Sequence, residues 1–112
     1  QAEEMLRVAL RLDPGLTGAL MNMGALRAQE GHYTEALHYF RKAYAGNPKF
    51  ADLARNYALA LVYEAGEQRK AGRRLETMAL LQEALAVQPA NEQAQEALDA
   101  LLAGRPAPGP RR

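Results

Sequence analysis

Few residues in this chain are equipped for covalent chemistry. Serine and cysteine are both absent, so the usual nucleophile-and-base machinery has no candidate, and no catalytic role is expected. The two histidines, His32 and His38, stand six apart (38 − 32). Four apart would place two metal ligands on one helix face, so they read as surface side chains, and no metal or cofactor is expected. The glycines sit at turns rather than in a phosphate-cradling loop. Two constellations are left. Asn22 and Asn56 are 34 apart (56 − 22), and each amide offers a donor and an acceptor. Arg69, Lys70, Arg73 and Arg74, with Arg105, Arg111 and Arg112 in the tail, form a basic cluster for an anionic partner. No aromatic residue interleaves that cluster for base stacking. A solvated face is the plainer reading, and nucleic acid is not expected.

Both constellations depend on helices. From Thr17 to Phe50 two helix-period segments are joined by Gly31 and closed by Asn47-Pro48. Leu20, Met23 and Gly24 open an apolar stripe with one small notch. Tyr33, Ala36, Leu37, Phe40 and Ala43 recur at three- and four-residue steps, as the inward face of a second helix must. Glycine at 31 accepts the left-handed conformation that ends a helix. Gly24, Ala36 and Ala43 let the two backbones approach closely. Thr17 is expected to cap the first of these helices, and Thr34 sits at the start of the second.

The motif repeats. Ala36, Phe40, Ala43 and Pro48 return upstream as Ala2, Leu6, Ala9 and Pro14, and downstream as Thr77, Leu81, Ala84 and Pro89. The prolines are separated by 48 − 14 = 34 and 89 − 48 = 41 residues, one period and then one period plus seven. A period of 34 with this signature resembles the tetratricopeptide repeat family, over roughly residues 1 to 102. Leu20, Met23 and Arg27 stand where that family usually has Trp, Leu and Tyr. In the next copy Ala54, Tyr57, Ala58 and Leu61 replace Trp, Leu, Gly and Tyr. Arg27 is then expected to snorkel its charge to water along its aliphatic stem; the alternative is a looser helix face.

The resemblance implies an all-α fold, an α-solenoid of antiparallel helical hairpins wound as a right-handed superhelix. Residues 1–16 would be the second helix of a truncated repeat, leaving an apolar face open to a preceding segment or to another copy. Residues 17–50 would be a complete repeat and 51–90 another, its first helix running to about Ala65. A seven-residue insertion near 66–72 has no large apolar residue and reads as an exposed, partly helical excursion. In the second helix of that copy Leu75, Met78, Leu81, Ala84 and Leu85 are apolar. Asn91 would cap a terminal helix over 91–103, and the Pro/Arg-rich 104–112 would be disordered or extended.

In that family first helices line a concave groove, so the resemblance places Asn22 and Asn56 where they can pair with the main chain of an extended peptide. Met21, Gln29, Arg55, Leu59 and Tyr63 would stand around them, Met21, Leu59 and Tyr63 as apolar pockets and Arg55 as a carboxylate partner. Gly18, Met21, Ala25 and Asp52 occupy positions where a full carboxylate clamp would need cations and a further Asn, so no such clamp is expected.

With 112 residues, 48% hydrophobic and 24% charged, the chain matches one globular domain. A formal net charge of +1 gives no global steering toward nucleic acid or membrane, and no apolar run is long enough for a membrane span. Without cysteine the compartment is undetermined, with a lean to the cytoplasm. The expectation is a scaffold or adaptor that binds a protein or peptide in the groove. The alternatives are an accessory domain of a larger enzyme and self-association through the N-terminal helix.

Overall fold

The computed structural model describes residues 2–108, and within them every regular element is a helix. These are α1 (Ala2–Leu12), α2 (Thr17–Gln29), α3 (Tyr33–Gly46), α4 (Leu53–Lys70), α5 (Arg74–Val87) and α6 (Glu92–Leu102). Gln1 and the tail residues 109–112, Arg111 and Arg112 among them, lie outside the described residues. Each helix packs on the next in the chain. The even-numbered helices also meet in order, α2 on α4 and α4 on α6.

Three of the turns share one construction. Gly31, Gly72 and Gly104 all have positive φ, at 82°, 76° and 70°. The amide after each donates five residues back, His32 to the Arg27 carbonyl, Arg73 to Gln68 and Arg105 to Ala100. Each glycine amide donates three back, to Ala28, Arg69 and Leu101. These bonds occupy carbonyls that a helix end would otherwise leave unpaired. The first two turns launch α3 and α5. The third is followed by Pro106 and Pro108, and no helix forms among the described residues after it. Proline pushes the residue before it out of the helical region, so Arg105 and Ala107 are both held extended.

The core runs along the stack. Leu20, Leu37, Phe40, Leu53, Leu61 and Leu81 are all nearly inaccessible to solvent. Gly24 is the notch that the apolar stripe implies: a Cβ there would lie 2.9 Å from the Phe40 ring. Thr77, standing where the motif has Ala, is buried, and its hydroxyl donates to the Arg73 carbonyl at 2.7 Å. Leu75 faces solvent instead of joining the inward stripe. Asn91 caps α6, its Oδ1 accepting from the Ala94 amide at 2.9 Å.

Three expectations need correction. Residues 66–72 are partly helical, as expected, but not fully exposed: α4 continues to Lys70, with Gly66, Gln68 and Arg69 half-buried. An insertion of about two turns keeps the helix in phase, and the hydrogen-bonded helix needs no large apolar residue to continue. Thr17 makes no cap; Leu16 is the capping residue of α2 and Thr17 is already helical. Thr34 does stand at the start of α3, as its second residue, and its hydroxyl donates across to Glu64 at 3.2 Å. Arg27 does not snorkel to water. Its guanidinium meets Glu3 of α1 at 2.9 Å and Glu30 at 2.8 Å, with Glu35 at 3.7 Å. Carboxylates from three segments of the chain replace the water that the stem was expected to reach.

Candidate functional site

A depression of about 290 Å3 lies among α2, α3 and α4. Ala25, Ala28 and Gln29 of α2, Tyr33 and Phe40 of α3, and Asn56, Leu59, Ala60 and Tyr63 of α4 line it. On α4 the lining residues 56, 59 and 63 recur at three- and four-residue steps, so one face of the helix forms that side. The rings of Tyr33 and Tyr63 stack at 5.5 Å with 19° between their planes. Tyr63 is still half-exposed, as is Leu59. Among the described residues no hydrogen bond engages the side-chain amides of Gln29 and Asn56. The site thus offers aromatic and aliphatic surface beside two amides free to pair with a main chain.

Four of the seven residues expected in the groove are brought together here: Gln29, Asn56, Leu59 and Tyr63. Asn22 is exposed on α2, three residues before Ala25 and so on the same face, but it lies outside the depression. Met21 is half-buried against the core. Arg55 is exposed and pairs with Asp52 at 3.1 Å. Sequence reasoning misses Tyr33 as a groove residue. Its helical period marks it as a gap-filling core residue, and that period does not distinguish the lip of a groove from its floor.

The described residues of the basic cluster have partners within the molecule. Arg69 donates to the Arg105 carbonyl, Lys70 lies 3.5 Å from Glu67, Arg73 donates to Gln68 at 3.2 Å and Arg74 to the Leu101 carbonyl at 2.9 Å. All four positions are engaged within the molecule. His32 lies 3.5 Å from Glu30, and His38 meets the edge of Tyr39. Among the described residues no cluster of three acidic, histidine or cysteine side chains is placed to hold a metal. Within the same residues no helix is long and apolar enough to cross a membrane.

Behind the depression lies a polar triad that no local pattern announces. Tyr57 donates its hydroxyl to Glu83, and Arg41 grips the same carboxylate at 2.9 and 3.0 Å. Burial alone would push Glu83 upward, but the bonds from Arg41 and Tyr57 outweigh it and hold the carboxyl below its ordinary range. Burial, reinforced by Glu83, raises the Tyr57 hydroxyl. The triad ties α3, α4 and α5 together. Arg41 and Tyr57 are 42 and 26 residues from Glu83, a separation beyond the reach of helical periodicity. No protein-family profile matches this chain, and no curated protein sequence matches it either.

Proposed function

We propose that the chain is a binding module of the tetratricopeptide type, an α-solenoid segment that takes an extended peptide or partner segment along α2 and α4 and does no catalysis itself. The observation that carries this is the pair of unengaged amides, Gln29 and Asn56, beside the half-exposed Leu59 and Tyr63 in one depression. Amides pair with a peptide main chain without reading its sequence. Leu59 and the stacked tyrosines supply apolar contact for alternate side chains. The 34-residue repeat supports the same reading.

Affinity capture from native lysate tests it, comparing wild type with Asn56→Ala/Tyr63→Ala and with Lys42→Ala at an exposed position of α3. The expected outcome is a set of partners lost only with the groove variant and crosslinked to α2 or α4. The same partners retained by all three proteins would remove the groove from the function. Loss of the Asn56 amide alone should weaken a purified peptide by about 1 kcal/mol.

The exposed stripe on α1 supports a second reading. Met5 and Leu12 are 72% and 83% accessible, and Val8 between them is 40% accessible. These steps of three and four residues form one apolar face, suited to self-association. Light scattering that finds only monomer at high micromolar concentration would eliminate it.

A further inference from the structure

The face of α4 that carries Asn56, Leu59 and Tyr63 continues toward its C-terminus, where α4, α5 and α6 enclose a larger depression of about 480 Å3. Tyr63 borders both depressions, so they lie end to end along α4. Val62, Ala65, Leu81 and Ala97 make the larger one chiefly apolar. Part of its wall is not helical. After the Gly104 turn the chain passes back over α4, and Ala107 and Pro108 border the depression. The segment is held by Arg69, which donates one guanidinium nitrogen, Nη2, to the Arg105 carbonyl. The other nitrogen, Nη1, is buried without a hydrogen-bond partner.

We infer that Arg105–Pro108 is a strap covering the α4–α6 end of the groove, displaced by an extended partner segment that presents a carboxylate to Arg69. This rests on the groove reading above and adds its regulation. Pro106 and Pro108 hold the strap extended and remove two backbone donors, so it can lie on an apolar surface without stranding N–H groups. Its single carbonyl satisfies only one side of the Arg69 fork. A carboxylate satisfies two in parallel, and so relieves the buried nitrogen that the strap leaves unpaired. Tethering raises the strap's effective concentration to roughly millimolar. Weak contacts therefore suffice to close the site, and a moderately tight ligand suffices to open it.

The test uses the 112-residue chain, its strap variant Pro106→Gly/Ala107→Ser/Pro108→Gly, and a synthetic peptide, acetyl-Gly-Asp-Pro-Ala-Pro-Gly-amide. Because the chain has no cysteine, Ala107→Cys also accepts a single nitroxide label. Docking of the strap is expected to weaken the Gly66 and Ala97 amide signals at least fivefold relative to the reduced label, with no such effect from Ala45→Cys on α3. The peptide is expected to bind the strap variant about tenfold tighter than wild type, and its Asp→Asn form about tenfold more weakly. No broadening from position 107, equal affinity for the two chains, or no binding to either would each overturn the strap. Groove failure reads out separately, as retention of captured partners by Asn56→Ala/Tyr63→Ala.

Discussion

At the scale of single residues, Gly24 and Tyr57 carry the sharpest consequences. A methyl group at Gly24 would meet three atoms of the Phe40 ring between 2.9 and 3.1 Å, and that ring has almost no free space. Overpacking of this kind costs about 1–3 kcal/mol, partly offset by the helix preference of Ala over Gly, about 1 kcal/mol. Gly24→Ala should therefore lower unfolding stability in urea by about 1 kcal/mol, and adding Phe40→Leu should reduce that loss. Tyr57→Phe removes the hydroxyl that a buried tyrosine donates to Glu83 and should cost about 1 kcal/mol. Arg41→Ala acts on a side chain that is nearly half-exposed, and should cost less than Tyr57→Phe in the same assay. The notch at Gly24 is legible in the sequence because a small residue in an apolar stripe has one local meaning. The Tyr57–Glu83–Arg41 triad is not, since its partners meet only when α3, α4 and α5 have packed.

At the scale of elements, α1 and α4 are opposites. α1 has no buried residue and is tied to α2 in part by Glu3, which Arg27 and then Arg7 hold down to about 2 from an ordinary 4.5. A carboxyl lowered by folding binds more protons in the unfolded chain, so its contribution is complete above about 4.5 and is lost as pH falls through about 2. In an acid titration followed by amide NMR, the α1 signals of the folded chain should shift only as pH falls toward about 2. In Arg27→Met they should shift at higher pH. In α4 the test is Gly66, a mid-helix glycine with nothing within 4 Å of where a methyl group would stand. Gly66→Ala should raise stability by about 0.5–1 kcal/mol in chemical denaturation. Beyond Ala65 the sequence is legible only as partly helical, because polar residues without an apolar stripe do not mark where a helix stops. Backbone hydrogen bonds and half-buried stems sustain it here.

At the scale of the whole molecule, α4 is the centre, with seven buried residues and neighbours on α2, α3, α5 and α6. Hydrogen exchange should be slowest there and fastest in α1, because protection follows the depth of the contacts that must open. A profile in which α1 outlasted α4 would contradict this hierarchy. Periodicity makes the described helices and their order readable, since each repeats its inward residues. It does not reveal that the third glycine turn delivers the chain back onto α4. Gly104 makes the same reversal that precedes α3 and α5, yet what it delivers onto α4 is an extended proline segment rather than a helix. One turn geometry thus serves two outputs, and the residues just after the glycine, not the turn itself, choose between them.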